Sequence, residues 1–323
     1  MKIADMHGDT IFLLLDNRKK GIDCELAKNH MHMDIEKMKC ADYLLQNFAL
    51  FVNLGSCEDP YEEAMAEYKV FMEEIEKNKE HISQAFSYED ILKNEKAGKM
   101  SAILSLEEGE VCKGEIKKLE EFYSYGARMM ALTWNYDNSL STANVNNAAW
   151  KRNYAGKRAG LTETGIEFVE RMEELGMIPD VSHMSDEGIE DMLMVAKKPF
   201  VASHSNARSL CKHPRNLTDD FLRRMGEKGC VIGTNFCSSF LKEGADYTKN
   251  EWIADHILYM VNVAGIESVG FGTDFDGIEC GLELENCSNM QVMAEVLRKR
   301  GLSEDQIEKI FYQNIMRLYK ELL

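Results

Sequence analysis

Eight short, nearly continuous apolar runs recur along the chain, and they constrain its fold more than any other feature of the sequence. Strands with one wet face alternate apolar and polar residues, whereas continuous apolar runs are typical of parallel strands buried on both faces. The runs are Lys2–His7, Leu44–Val52, Ser101–Leu106, Arg128–Thr133, Met177–His183, Pro199–His204, Cys230–Asn235 and Ser268–Asp274. We therefore expect a largely parallel sheet that is covered on both sides.

Segments with apolar residues at helical spacing separate these runs. They include Tyr61–His81, Ile116–Tyr125 and Leu161–Leu175. Thr218 and Ser303 are predicted to be helix N-caps, and Ser303 with Gln306 has the spacing of a capping box. Eight alternations of strand and helix predict an α/β fold of the (β/α)8 TIM-barrel type rather than a doubly wound sheet.

The chain length of 323 residues suits one barrel with insertions, so we predict a single domain over residues 1–323. Residues 57–100 predict a charged helical excursion, and residues 135–160, rich in Asn, Ala and Ser, predict a long loop. That loop contains a basic group in an acidic protein, formed by Lys151, Arg152, Lys157 and Arg158. Two interpretations stay open: a solvated loop, or a lid that attracts an anionic substrate.

Charge and cysteine content exclude several classes of protein. A formal net charge of −17 argues against a surface for nucleic acid or anionic membranes. Nine cysteines without a Cys-x-x-Cys motif predict free thiols rather than a disulfide framework or a structural zinc site. The apolar run Ile11–Leu15 is too short for a signal peptide, and no stretch approaches the ~20 apolar residues of a membrane span. We therefore expect a cytoplasmic protein.

Residue types that bind metals end several of the apolar runs. His7 and Asp9 follow the first run, and residues i and i+2 of an extended backbone point to the same side. Glu107 ends the third run, and His183 and His204 end the fifth and sixth. Imidazole and carboxylate together form a ligand set that suits zinc.

The predicted barrel brings these ligands to one place, because the carboxyl ends of parallel barrel strands share one mouth. Asp274 ends the eighth run, so three histidines and three carboxylates converge there. A catalytic zinc usually keeps three protein ligands, and two metals that share a carboxylate would use the whole set. Glu107 is the predicted bridge, since the adjacent Glu108 points to the opposite side of the strand.

Other catalytic arrangements find no support in the sequence. It contains no Gly-x-Ser-x-Gly elbow, no Walker-type loop and no dinucleotide-binding glycine motif. Ser182 and Ser203 each stand beside a histidine, but neighbours on a strand face opposite sides, so we expect no Ser–His dyad. The remaining histidines are expected to be surface or packing residues: His30, His32, His81, His213 and His256.

Six separated motifs, in a fixed order, carry a resemblance to a known family. They are Asp5-Met6-His7-Gly8-Asp9, Leu106-Glu107-Glu108-Gly109, Gly176-Met177-Ile178-Pro179-Asp180-Val181-Ser182-His183, Ser203-His204-Ser205-Asn206-Ala207, Pro214-Arg215-Asn216 and Gly272-Thr273-Asp274-Phe275-Asp276-Gly277. In these motifs the sequence resembles the membrane (renal) dipeptidase family of binuclear zinc peptidases, within the amidohydrolase-like barrel superfamily. The likeness extends nearly from end to end.

The resemblance implies a ligand set for two Zn²⁺ ions. His7 and Asp9 would hold one ion, His183 and His204 the second, and Glu107 would bridge them. The family's name members are secreted and lipid-anchored, but we expect no membrane attachment here, because the sequence shows neither a signal segment nor a hydrophobic C-terminal tail.

The resemblance also implies roles for three further residues. Asp274 would transfer the proton, and Arg215 would bind the terminal carboxylate of the substrate, a pairing that suits the planar guanidinium. The family's animal members carry a histidine after the fourth strand that contacts the reacting carbonyl, and Trp134 occupies the corresponding place here. Because Trp134 donates only through its indole N–H, we expect a different substrate range at this point.

These features predict a cytoplasmic zinc-dependent dipeptidase that hydrolyses the peptide bond of dipeptides with a metal-bridged hydroxide. Its expected partner is a dipeptide or a similar small acyl-amino-acid substrate; nucleic acid and membrane are not expected, and a homodimer stays open. One alternative, which Trp134 keeps open, is another amidohydrolase-type enzyme such as an N-acyl amino acid deacylase or a lactonase. A second is a non-catalytic protein that binds metal or peptide, against which the complete ligand set and Asp274 argue.

Overall fold

The computed structural model describes residues 1–144 and 159–323, and its centre is a closed barrel of parallel strands. The strands of the described residues are β1 (Ile3–Asp5), β2 (Tyr43–Phe51), β3 (Ile82–Gln84), β4 (Met100–Glu107), β5 (Ala127–Ala131), β6 (Ile178–Asp180), β7 (Val201–Ala202), β8 (Val231–Thr234), β9 (Tyr247–Thr248), β10 (Val269–Phe271) and β11 (Gly281–Leu282). Barrel strands follow the order β2-β1-β10-β8-β7-β6-β5-β4, and β4 pairs with β2 to close the ring. Each of the eight predicted runs overlaps one barrel strand, which confirms the (β/α)8 fold.

Helices surround the barrel and connect its strands. The α-helices of the described residues are α1 (Thr10–Lys19), α2 (Ile35–Cys40), α3 (Pro60–Lys77), α4 (Tyr88–Lys96), α5 (Ile116–Ser124), α6 (Glu163–Leu175), α7 (Asp186–Val195), α8 (Asp219–Glu227), α9 (Ser238–Leu241), α10 (Asn250–Ala264), α11 (Gln291–Lys299), α12 (Glu304–Glu308) and α13 (Asn314–Leu322). Thr218 caps α8 through Phe221 N–H, and Ser303 with Gln306 forms the predicted capping box of α12. Within the described residues, no helix is both long and apolar enough to cross a membrane.

The connection after β2 differs from the predicted helical excursion, because it contains the strand β3. Ile82 of β3 pairs with Met100 at the start of β4, and further along the same edge Leu104 pairs with Ala127 of β5. The other edge of β4 belongs to β2, so β3 is a ninth strand beside the first half of β4. Three residues are too few to show a period, and the pattern therefore missed this strand.

All barrel strands except β4 also end earlier than the apolar runs predict. β6 ends at Asp180 and β7 at Ala202, so His183 and His204 lie in the turns that follow. His183 has φ 71° and Asp274 has φ 63°, in the left-handed backbone region that residues other than glycine rarely adopt. The turns after the strands, rather than the strand ends themselves, therefore set the directions of the His183 and Asp274 side chains.

The C-terminal helix α13 closes the end of the barrel opposite to these turns. Its residues Leu318 and Tyr319 are fully buried in a cluster with apolar side chains of the barrel strands, and the Tyr319 hydroxyl donates to Asn47 Oδ1 at 2.8 Å. Arg317 donates to the carbonyl of Gly229, just before β8 begins. The carboxyl ends of the strands thus form the open end of the barrel. The basic residues Lys151, Arg152, Lys157 and Arg158 lie outside the described residues.

Candidate active site

The predicted ligands and Asp274 meet at the carboxyl end of the barrel, and all of them are buried. They come from the turn after β1, the end of β4 and the turns after β6, β7 and β10: His7, Asp9, Glu107, His183, His204 and Asp274. Two sets of three side chains bring ligand atoms within 4.8 Å of one another, namely His7 with Glu107 and His204, and His7 with Asp9 and Asp274. The structure therefore brings together five segments that are distant in the sequence.

Glu107 lies at the centre of this cluster, with its two oxygens on different sides. Oε2 is 3.4 Å from His7 Nε2, whereas Oε1 is 3.1 Å from His183 Nε2 and 3.5 Å from His204 Nε2. A carboxylate in this arrangement can contact one cation with each oxygen. The predicted position of Glu107 as a bridge agrees with this geometry.

On one side of Glu107, two buried polar atoms lack a partner. His7 Nε2 is 3.5 Å from Asp9 Oδ2, and within residues 1–144 and 159–323 neither His7 Nε2 nor Asp9 Oδ1 takes part in a hydrogen bond. Buried polar atoms are nearly always paired, and an unpaired one calls for an explanation such as an ion. The nitrogen and oxygen donors here fit a cation.

On the other side, two imidazole nitrogens face each other, because His183 Nε2 lies 2.9 Å from His204 Nε2. His183 Nδ1 lies 2.9 Å from Asn135 Oδ1, an acceptor, so the ring proton is on Nδ1. The lone pair of Nε2 then points towards Glu107. Such a contact on the far nitrogen is the usual way in which a protein orients a histidine that binds a metal.

The expectation that Ser203 would point away from His204 is wrong, since both residues lie in the turn after β7 and not within a strand. Ser203 Oγ is 2.7 Å from His204 Nδ1, and the same hydroxyl donates to Asp180 Oδ2. The hydroxyl proton is thus directed at Asp180, and the oxygen accepts the proton of Nδ1. Ser203 therefore orients His204 and leaves Nε2 free, rather than forming a nucleophilic dyad with it.

Two buried aspartates that the sequence reasoning missed join these turns in pairs. Asp5 accepts hydrogen bonds from the backbone N–H and the hydroxyl of Thr273 and from His7 N–H, and so links the turns after β1 and β10. Asp180 accepts from Ser182 N–H and Ser203 N–H, and so links the turns after β6 and β7. In both cases an aspartate ends a barrel strand two or three residues before a histidine. That spacing was the available signal.

Protonation in the cluster follows from burial and neighbouring charge. Burial opposes the charge on both Glu107 and His7, but their mutual attraction outweighs it. The pKa of Glu107 therefore lies below its usual value, while Glu107 and Asp9 raise the pKa of His7 well above its own. The carboxylates demand a positive charge at this place, and a bound cation would supply it instead of the proton.

The second pair of histidines behaves in the opposite way. Burial, with the nearby charge of Arg215, lowers the pKa of His183 to about 3. Burial, with the charges of His7 and Arg215, lowers the pKa of His204 well below its usual value. Both rings are therefore neutral, which is the form that binds a metal.

Asp274 combines a fixed oxygen with an oxygen that faces the cluster. Asn235 Nδ2 donates to its Oδ2 at 2.8 Å, and its Oδ1 lies 3.8 Å from His7 Nε2. Burial above all, with the charges of Asp9 and Glu107 and against the effect of His7, raises the pKa of Asp274 to about 8. A carboxyl group with this pKa exchanges a proton readily near neutral pH.

Arg215 is a buried cation with donors to spare. It is 3% exposed, and Nη2 donates to the carbonyl of His204 at 3.1 Å. Nε and Nη1 have no hydrogen-bond partner among the described residues, and the guanidinium carbon lies 5.5 Å from the centre of the Phe240 ring. A planar guanidinium with unused N–H donors suits a carboxylate.

A cleft of about 450 Å³ opens onto the cluster, and Trp134 and Phe240 line it. The ring centre of Trp134 is 6.0 Å from that of His183 and 4.8 Å from that of Phe51. Glu108 points away from the cleft and accepts from the backbone N–H groups of Glu110 and Trp134. Glu107 thus faces the histidine cluster and Glu108 does not, and Glu108 positions the loop that carries Trp134.

Comparison with known proteins shows similarity along the whole chain. The model of the family described as membrane dipeptidase (peptidase family M19) matches residues 1–322. An uncharacterised dipeptidase of Schizosaccharomyces pombe is 31% identical over 343 residues, which cover 99% of this chain and 80% of that protein. An uncharacterised protein of the pqqA 5′ region of Klebsiella pneumoniae is 35% identical over 212 residues, 65% of this chain and 77% of that protein.

Solved structures show the same fold. A metallopeptidase of Rhodobacter sphaeroides, liganded with a phosphinate mimic of the dipeptide L-Ala-D-Ala, has a TM-score of 0.89 at 21% identity and covers 100% of this chain and 99% of its own. The probable dipeptidase PvdM of Pseudomonas aeruginosa has a TM-score of 0.87 at 19% identity, over 99% of this chain and 94% of its own. At these identities the likeness establishes the barrel fold.

The contact between Ser203 and His204 generates a prediction about metal affinity. Ser203→Ala removes the acceptor that fixes His204 Nδ1, and loss of such a contact typically weakens metal binding by ~10–100-fold. Ser205→Ala is the control, because the Ser205 hydroxyl is also buried but has no partner among the described residues. Chelator competition measures both affinities. Equal metal affinity in the two variants would contradict the assigned role of Ser203.

Proposed function

The chain belongs to the membrane dipeptidase family, peptidase family M19, and from this premise we propose that it is a dipeptidase that uses two zinc ions. The observation that carries the proposal is the position of Glu107, whose two oxygens face different histidines. In the proposal His7 and Asp9 bind one ion, His183 and His204 bind the other, and Glu107 bridges them. Nitrogen and oxygen donors of this kind are ordinary zinc ligands.

The residues of the chain supply proton transfer and orientation. When bound, the two cations lower the pKa of a water molecule and polarise the scissile carbonyl. Asp274 accepts the proton of the attacking water and delivers it to the leaving amine, as a general base and then a general acid. Asn235 fixes one oxygen of Asp274, so the other oxygen, which faces His7, is the one that carries the proton.

Substrate length follows from Arg215 and the cleft. Arg215 binds the C-terminal carboxylate through its unused guanidinium donors, and its distance from the scissile bond then limits the substrate to very short peptides. The guanidinium carbon lies 5.5 Å from the centre of the Phe240 ring, and Phe240 lines the cleft, so the bound carboxylate would lie beside the cleft wall. The proposal therefore favours a dipeptidase over an endopeptidase.

Trp134 supports a second candidate function. It lines the cleft near His183, and its bulk and single indole donor change how an acyl group is held there. The same centre would then act on an N-acyl amino acid or a lactone. A non-catalytic binding protein is less well supported, because the complete ligand set and Asp274 are present together at the cleft. A cytoplasmic location stays a prediction from the sequence.

A substrate panel tests the proposed reaction. The zinc-loaded protein is incubated with dipeptides, N-acyl amino acids and lactones, and the amine or acid released is measured. We expect turnover of dipeptides. Turnover of acyl amino acids or lactones alone would support the second candidate, and binding of peptides without any turnover would support a non-catalytic protein.

Asp274→Asn tests the proton-transfer role. The amide has the same shape but cannot accept the proton, so we expect a fall in kcat of about 100-fold or more with zinc content unchanged. Asp276→Asn is the matched control, since that carboxylate also lines the cleft but its oxygens accept from the Thr10 hydroxyl and from His32 N–H. Activity of Asp274→Asn equal to that of wild type would remove Asp274 from the mechanism.

Arg215→Gln tests recognition of the terminal carboxylate. Loss of one partner of a buried charge pair costs about 2 kcal/mol or more, so kcat/KM for a dipeptide should fall by ~30-fold or more. A dipeptide amide lacks the carboxylate, and with it wild type and variant should be equal. Arg208→Gln is the control, because Arg208 pairs with Asp186 instead. An equal loss on both substrates would contradict the assigned contact.

A further inference from the structure

Two cysteines that the proposed reaction does not use meet at the wall of the cleft. Cys237 follows β8 and lines the cleft, and Cys280 follows the turn that carries Asp274. Cys280 Sγ accepts a hydrogen bond from Ser238 N–H at 3.3 Å and lies 4.0 Å from the carbonyl of Phe236. It therefore contacts the residues on both sides of Cys237, which places Cys280 beside Cys237.

We propose that Cys237 and Cys280 form a redox-modification site, in which a hydroperoxide or a small disulfide converts the two thiols to an intramolecular disulfide that lowers turnover in the cleft. The disulfide itself does not depend on the proposed function. The effect on turnover does rest on it.

The local structure allows this bond to form. The short strands β9 and β11 pair in parallel, with Gly281 opposite Tyr247, and Thr248 of β9 donates to the carbonyl of Phe236 at 2.7 Å while its hydroxyl lies 3.7 Å from Cys280 Sγ. A disulfide needs Cα atoms about 4.4–6.8 Å apart, and these contacts hold Cys280 against the segment that carries Cys237. Both cysteines are partly exposed, whereas Cys112 and Cys230 are buried. A small oxidant therefore has access to the pair.

The two thiols differ in reactivity. The neighbouring Cys237 thiol, together with the hydrogen bond from Ser238 N–H and against the effect of burial, lowers the pKa of Cys280 to about 5. The thiolate is the nucleophilic form of cysteine. Because the Ser238 N–H donates to Cys280 Sγ and stabilises a thiolate there, Cys280 is the attacking thiol, and Cys237 completes the bond.

The chemistry balances for both oxidants. The Cys280 thiolate attacks one oxygen of hydrogen peroxide, the O–O bond breaks, and a sulfenic acid forms as hydroxide leaves. Cys237 then attacks that sulfur, the S–S bond forms, and the sulfenic oxygen leaves as water with the thiol proton. With a small disulfide, Cys280 forms a mixed disulfide and releases one thiol, and Cys237 releases the second. In each case two electrons pass from the two cysteines to the oxidant.

The bond would act on Asp274 through Asn235. Asn235 Oδ1 accepts from the backbone N–H of Cys237 at 2.7 Å, and Asn235 Nδ2 donates to Asp274 Oδ2 at 2.8 Å. Closing the S–S bond to about 2.05 Å draws Cys237 towards Cys280 and moves the N–H that holds Asn235. Cys237 also leaves its place on the cleft wall.

Peptide mapping tests the modification. The zinc-loaded wild type and Cys280→Ser are treated with hydrogen peroxide or oxidised glutathione, the free thiols are alkylated, and the peptides are identified by mass spectrometry. We expect a peptide that joins Cys237 to Cys280 in wild type, absent in Cys280→Ser and lost after dithiothreitol. Cys40→Ser, which removes an exposed thiol elsewhere, should still form it. Oxidation of Cys40 in the wild type shows that the oxidant was effective. If Cys40 is oxidised while Cys237 and Cys280 are both recovered as free, unlinked thiols, the proposal is overturned.

Kinetics on the same samples test the consequence. We expect oxidation to lower kcat/KM for a dipeptide severalfold in wild type and in Cys40→Ser, with zinc content unchanged and activity restored by dithiothreitol. Cys280→Ser should keep its activity. A mapped disulfide without any change in kcat/KM would overturn the effect on the cleft. Peptide mapping does not require enzymatic activity. Absence of dipeptidase activity would therefore refute the proposed function, while the mapping would still show whether the disulfide forms.

Discussion

Charge compensation at Glu107 is the interaction on which the rest of the site depends. Its carboxylate is buried together with those of Asp9 and Asp274, and in a low-dielectric interior such groups need positive charge close by. Three imidazoles surround it, of which His7 is driven towards protonation while His183 and His204 are held neutral. A protein that keeps so many ligating groups in one buried place holds them ready for cations, and the unpaired atoms of His7 and Asp9 are where the compensation is incomplete.

The barrel makes this cluster possible because the residues that close and stabilise it lie at one end, and the ligand residues lie at the other. At one end α13 fills the barrel with Leu318 and Tyr319 and closes it, while at the other end the strands stop early and short turns carry the ligands. Asp5 and Asp180 tie those turns in pairs, which fixes the relative positions of side chains far apart in the sequence. The ligand positions therefore depend on a supporting layer of hydrogen bonds as well as on the strands.

The sequence predicted structural elements well where a residue pattern repeats, and predicted side-chain contacts poorly where they depend on the conformation of a single turn. Continuous apolar runs predicted all eight barrel strands, and the residues that end those runs predicted a cluster that the structure does assemble. The period of a strand could not describe the turns that follow it, so the contact of Ser203 with His204 was predicted wrongly and the roles of Asp5 and Asp180 were missed. The strand Ile82–Gln84 was too short to show a pattern. Cys237 and Cys280 lie close together because two loops that are distant in the sequence pack against each other. A local sequence pattern cannot predict such a contact.

The claim that two cations share Glu107 is tested most directly by anomalous X-ray scattering at the zinc edge from crystals of the zinc-loaded protein. The account predicts two peaks in each chain, one beside His7 and Asp9 and one between His183 and His204, with Glu107 in contact with both. A single peak, or peaks away from Glu107, would contradict it.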